Sequence, residues 1–218
     1  MPADAEARDA ASGQSASDSP YLVAGLGNPG PKYAGNRHNV GFMVANLLAQ
    51  KVGGHVGVDA AKNWKRHGKA RAEVCEGRLS PGGARVVLAK PLTYMNLSGQ
   101  ALGPLATFYK IPDERIVVVY DELDLPYGVV RLKANGGEGG HNGLRSLTKA
   151  LGGRGYLRVR FGIGRPPGRM DPAAYVLRDF AAGERAELPL FTEIAADAVC
   201  EVVESGLEKA QNKFHALS

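Results

Sequence analysis

The sequence predicts an α/β fold: a single domain on a mixed, mostly parallel twisted sheet flanked by helices. Three observations predict it. Apolar, β-branched runs alternate along the chain with segments of helical periodicity, which is the pattern of layered α/β architecture. The run I-V-V-V-Y, Ile116 to Tyr120, carries no charge and suits a central strand covered on both faces. With 218 residues, 44% hydrophobic and 22% charged, the chain can fill one full core, whereas two would be cramped.

Residues 1–19 are rich in Ala, Ser and Asp without periodicity and predict a disordered tail, leaving 20–218 as the folded domain. Tyr21 to Ala24 is a short apolar run that stops at Gly25, a strand in the middle of a sheet. From Val40 the apolar positions fall at Val40, Met43, Val44, Leu47 and Leu48, which is one buried helix face, with Asn39 as its N-cap. Gly53 to Gly68 is polar and irregular. Ala70 to Glu76 and Arg85 to Ala89 flank the turn S-P-G-G-A and predict an antiparallel hairpin. A helix follows over roughly Gly99 to Lys110, capped by Ser98 and kinked at Pro104. After the central strand, Gly128 to Lys133 predicts another. The glycine loop Asn135 to Gly143 then leads to a helix over about Leu144 to Leu151. Arg158 to Ile163 is a last strand, and the chain from Gly183 is helical.

Net charge is +5, and the first twenty residues hold Asp4, Glu6, Asp9 and Asp18 against Arg8, so the folded part is more basic than the whole. A basic surface suits an anionic partner such as nucleic acid, although solubility alone would explain that charge. Cys75 and Cys200 stand far apart without metal-ligand spacing, which points to a reducing compartment, no disulfide framework and no structural zinc. No apolar run approaches the roughly eighteen residues of a membrane span, and the N-terminus lacks the basic and apolar regions of a signal peptide. The expected location is cytoplasmic.

Gly25, Gly27 and Gly30 satisfy the G-x-G-x-x-G dinucleotide fingerprint. Two features argue against that reading. Pro31 and a polar loop up to Asn39 separate the third glycine from the helix, so no helix N-terminus lies against a pyrophosphate. No Asp or Glu occurs between Asp18 and Asp59 to hold a ribose.

The polar loop holds His38 just outside a helix N-terminus, where the macrodipole opposes positive charge and favours a neutral imidazole able to accept a proton. In open α/β sheets the site lies beyond the carboxyl ends of the strands. If the first strand and the Ile116 to Tyr120 strand are parallel neighbours, Asn28, His38 and Asp121 converge there. Taken singly, a loop histidine is more often a surface residue, a strand-end aspartate a turn residue, and a turn asparagine a backbone device. Together with Asn96 and Asn142 they all fall on strand-end or helix-start loops, which favours a site.

Five motifs in this order, G-L-G-N-P-G, Y-A-G-N-R-H-N-V-G-F, T-Y-M-N-L-S-G, Y-D-E-L-D-L-P and G-G-H-N-G-L-R-S, closely resemble the bacterial-type peptidyl-tRNA hydrolases. The likeness runs from about Tyr21 to the G-L-E-K-A-Q-N-K-F-H segment near the C-terminus. The resemblance implies hydrolysis of the ester between a peptide and the 3′ ribose of tRNA, recycling tRNA in translation. It implies His38 as general base, Asp121 as the carboxylate that orients it, and Asn96 and Asn142 as amides that position water and stabilise the oxyanion. It implies that Asn28 holds the peptide backbone, that Tyr33, Asn39 and His141 lie on the substrate and tRNA side, and that Lys133 and Arg160 grip the tRNA 5′-phosphate. The implied partner is peptidyl-tRNA, and the expected state is a monomer. An aminoacyl ester is already an activated electrophile, so no metal, cofactor or covalent nucleophile is expected.

Three features depart from the family pattern. Glu138 stands where some relatives carry histidine, Asn135 where many have glycine, and the tail before Tyr21 has no counterpart in the compact members. Glu138 puts loop contacts to tRNA in question. An RNA-binding scaffold of the same fold without activity is the main alternative. The intact His38, Asp121, Asn96 and Asn142 favour the enzyme.

Overall fold

A computed structural model of the chain describes residues 19–52 and 63–216. The expected tail falls almost wholly outside the described residues, as does most of the segment read as irregular. The described chain forms one seven-stranded mixed sheet with helices on both faces. The strands are β1 (Tyr21–Gly25), β2 (Lys65–His67), β3 (Ala72–Arg78), β4 (Arg85–Pro91), β5 (Ile116–Glu122), β6 (Val130–Ala134) and β7 (Leu157–Gly162). Their order is β2-β3-β4-β1-β5-β7-β6. The four central strands are parallel, and each end of the sheet is closed by antiparallel pairs.

Ile116 through Asp121 are all buried in β5, as an uncharged run covered on both faces requires. Alternate residues feed two cores. Val23, Val117, Val119, Val159 and Phe161 face one side, with α1 (Val40–Lys51), α5 (Ala182–Ser205) and α6 (Leu207–His215). Leu22, Ala24, Val118 and Tyr120 face the other, with α2 (Ser98–Phe108) and α3 (Asn142–Leu151).

Several local expectations are corrected. The segment read as irregular contributes the short edge strand β2. The C-terminal helix is two helices, broken at Gly206, whose φ of 85° ends α5. A one-turn helix precedes them, α4 (Pro172–Val176), capped by Asp171. Ser98 is the first residue of α2 and gives its hydroxyl to the Met95 carbonyl instead of capping. Asn39 precedes α1 but makes no side-chain cap, because its amide is used elsewhere.

One close approach sets the position of the site. A Cβ at Gly41 would lie 2.4 Å from the Leu26 nitrogen and 2.4 Å from the Val119 carbonyl oxygen. The start of α1 is thus pressed onto the ends of β1 and β5. Both obstacles are backbone and cannot move aside. Gly41→Ala is expected to cost about 1–3 kcal/mol, the scale of overpacking, seen as a lower urea midpoint with an unchanged slope. A midpoint equal to the native value would show that α1 can lift freely.

Candidate active site

The cleft opens beyond the carboxyl ends of the parallel strands, where the sequence placed it. It encloses about 610 Å³ and is lined by Asn28 after β1, Asn96 after β4, Asp121 in β5, His38 before α1, and His141 and Asn142 at the start of α3. Tyr94, Met95, Leu123, Val176 and Leu177 supply apolar wall.

β1 and β5 are parallel neighbours, with Gly25 opposite Val119. This register brings His38 to Asp121. The His38 Nδ1 lies 2.8 and 2.9 Å from the two Asp121 oxygens. Burial disfavours the Asp121 carboxylate, but the charges and hydrogen bonds of His38 and His141 outweigh it and hold its pKa well below the usual carboxylate range. An ionised Asp121 can only accept, so Nδ1 of His38 carries a proton, and in the neutral ring Nε2 keeps its lone pair.

His141 is bound differently. Its Nε2 lies 3.1 Å from Asp121 Oδ1, and its Nδ1 accepts from the Leu144 amide at 3.3 Å, capping α3. Both nitrogens are occupied. Of the two imidazoles on Asp121, only His38 has a nitrogen left for substrate. The same three side chains place their ligand atoms within 4.8 Å of one another, a donor set that a divalent metal accepts, but here the donors are bonded to each other.

The helix end favours a neutral His38, but the neighbouring carboxylate acts the other way and is the stronger influence. Burial lowers its pKa, but the Asp121 charge and hydrogen bond outweigh burial, so the pKa stands above the ordinary value. The His38 ring is more basic than a free imidazole and needs a higher pH to be neutral.

The asparagines are oriented by their neighbours. Asn39 is 2% exposed and lies behind Asn28, accepting from its backbone nitrogen and donating to its carbonyl, both at 2.9 Å. The structure does not bring Asn39 to the cleft. Asn28 Oδ1 accepts from the Met95 amide at 2.8 Å, which turns the Asn28 NH2 outward as a donor. Asn142 Oδ1 accepts from Arg145 at 3.1 Å, again leaving its NH2 free. Asn96 is exposed on the cleft wall. Tyr33 packs edge-on against Tyr94 at 6.4 Å between ring centres, one ring back from the cleft.

Lys133 and Arg160 lie on the antiparallel pair at the sheet edge. Lys133 is opposite Arg158, and Arg131 is opposite Arg160, so the four cations share one face. Glu122 engages Arg160 Nε at 3.1 Å. Burial and the charges of Arg160 and Arg158 lower the Lys133 pKa, so this corner favours an anion. Glu138, the departure in the glycine loop, is paired with Arg154 at 2.8 Å, which holds its pKa down at about 2 and offsets its charge.

Sequence reasoning missed the residues that fasten this site. Arg37, 6% exposed, gives hydrogen bonds to the Asp179 carbonyl and Glu184 at 2.7 and 2.6 Å and stacks on Tyr175. It ties the His38 loop to the segment that supplies Val176 and Leu177 to the wall. Its place beside His38 was the one available signal.

The peptidyl-tRNA hydrolase family model matches residues 22–218. A peptidyl-tRNA hydrolase of Frankia alni is 60% identical over 200 residues, covering 92% of this chain and 96% of that protein. One from Mycolicibacterium smegmatis is 57% identical over 197 residues, covering 90% and 98%. The crystal structure of peptidyl-tRNA hydrolase from Acinetobacter baumannii superposes with a TM-score of 0.80 at 36% identity, covering 91% and 96%.

Proposed function

The chain belongs to the peptidyl-tRNA hydrolase family, and from that membership we propose that it cleaves the ester of peptidyl-tRNA with water activated by His38. The observation that carries this reading is the His38 imidazole, held through Nδ1 by both oxygens of Asp121 with Nε2 free in a cleft flanked by three asparagine amides.

The steps follow from these groups. Water lies against Nε2 of His38 and attacks the ester carbonyl as the imidazole takes its proton. Asp121 stabilises the imidazolium that forms. Negative charge gathers on the carbonyl oxygen, where the Asn96 and Asn142 NH2 groups donate to it. Collapse expels the ribose oxygen, which recovers the proton from His38, giving a free tRNA 3′ end and a peptide acid. The Asn28 NH2 binds a peptide carbonyl beside the ester. This contact selects an acylated amine over a free one. The neutral amides bind an ester without trapping phosphates.

The class is tested with N-acetylaminoacyl-tRNA and free aminoacyl-tRNA. Cleavage of the first and not the second is expected. Binding of both without cleavage would make the chain an RNA-binding scaffold. Asn96→Ala is expected to lower kcat by about 10²–10³-fold, as for loss of one oxyanion donor. A change confined to KM would make Asn96 a binding residue only.

Lys133 and Arg160 are proposed to grip the 5′-phosphate. Each charged hydrogen bond to it should contribute on the order of 1.5–3 kcal/mol, and binding should weaken with salt. The native enzyme should prefer phosphorylated over 5′-dephosphorylated substrate. Lys133→Ala and Arg160→Ala should lose most of that preference while cleaving a short N-blocked aminoacyl-nucleoside at the native rate. Full preference in both variants would place the clamp elsewhere.

A further inference from the structure

Arg158 is 1% exposed, and among the described residues no carboxylate pairs with it. Its Nη1 donates to the Gly137 carbonyl at 2.6 Å and its Nη2 to the Gly136 carbonyl at 2.7 Å and the Tyr156 hydroxyl at 3.2 Å. Its Nε is buried without a partner. A charge removed from water with only neutral partners is costly and calls for a role. Lys133 lies directly opposite Arg158 in the ladder, and Arg160 is two residues along the same face. The Lys133 ammonium also lies over Gly136, within 2.8 Å of where a Cβ would stand.

The loop that Arg158 grips has little intrinsic order. Asn135, Gly136, Gly139 and Gly140 all have positive φ, and glycines in such conformations have many alternatives. Beyond the grip, the His141 amide donates to the Glu138 carbonyl at 2.8 Å, and the His141 ring reaches Asp121. A continuous set of contacts therefore runs from the cationic edge through the loop to the active carboxylate.

We infer that Arg158 is a positioning residue that couples capture of the 5′-phosphate at Lys133 and Arg160 to the order of the loop bearing His141 and Asn142. This rests on the clamp reading given above. A dianion beside Lys133 compensates the crowded cations and holds Lys133 over Gly136, while the Arg158 fork fixes the two carbonyls. The phosphate then acts on kcat as well as on KM, and a tRNA without it is bound with a looser catalytic loop.

The experiment measures kcat and KM separately for 5′-phosphorylated and dephosphorylated N-acetylaminoacyl-tRNA, on the native enzyme and on Arg158→Lys. On the native enzyme the phosphate should lower KM and raise kcat by about fivefold or more, the lower end of ordinary coupling. Lysine keeps the charge but cannot hold two carbonyls at once. Arg158→Lys should therefore keep the KM effect and bring the kcat ratio close to one, which a general loss of structure would not do. An unchanged kcat ratio in the variant overturns the inference. A native enzyme on which the phosphate changes KM alone also overturns it and leaves the clamp standing. A native enzyme indifferent to the phosphate removes the clamp itself. Should Arg158→Lys fail to fold, native protein decides. Amide exchange across Gly136 to Gly140 should slow with a phosphorylated acceptor-stem RNA more than with its dephosphorylated form, and equal exchange overturns the inference.

Discussion

His38→Ala lowers kcat on N-acetylaminoacyl-tRNA by about 10²–10⁴-fold, the usual share of a general base, while tRNA binding stays near native. The size of the loss follows from the hydrogen bonds around Asp121. His141 is the other imidazole on that carboxylate, but it uses Nε2 on Asp121 and Nδ1 on the Leu144 amide, so it has no nitrogen with which to replace His38. The side chains of Asn28, Asn96 and Asn142 are amides and hold no proton-accepting nitrogen at neutral pH. Single-turnover cleavage with saturating enzyme measures the effect free of binding. Near-native cleavage by the variant would mean that water is activated by some other group.

Asp121→Asn lowers kcat by about 10²-fold or more, and it does so through His38. An asparagine offers one acceptor oxygen where two imidazoles each donate to a carboxylate, and its NH2 can turn toward Nδ1 and force the wrong tautomer. In the double variant, His38→Ala should then add little, because residues that act as a unit are non-additive. Losses that multiply in full would show that Asp121 and His38 work separately. A native urea midpoint for Asp121→Asn would separate this effect from unfolding.

Much of the fold was legible because its signals are local. The uncharged β5 run, the helical spacing after Val40 and the turn between β3 and β4 each carry their own periodicity. The site was legible in part through topology, since two parallel strand ends must bring Asn28 and Asp121 together. The illegible features depend on partners distant in sequence. Asp121 lies 83 residues from His38, so the local helix-end argument favoured a neutral ring, while topology and the family resemblance brought in the carboxylate without weighing how far it raises the ring's pKa. Asn39 reads as a cap by position, yet Asn28 takes its amide. Nothing local in the sequence marks Arg37 and Arg158 as buried, because the backbone carbonyls that bury them belong to segments 142 and about 21 residues away. The strand β2, Lys65–His67, has no alternation to reveal it and exists only as the partner of β3.

The central claim is that His38, held by ionised Asp121, must be neutral for water to be activated, and the pH dependence of kcat/KM tests it most directly. Protonated His38 cannot accept a proton, so the rate rises with pH as the imidazole loses its charge. Because Asp121 raises the His38 pKa, the native rise should be centred above the ordinary imidazole value of about 6.5. In Asp121→Asn the raising charge is gone while burial remains, so the rise should move to lower pH and the plateau should fall. A native rate that is flat from about pH 5 to 8, the range in which imidazoles titrate, or a rise that stays in place in Asp121→Asn, would contradict the account.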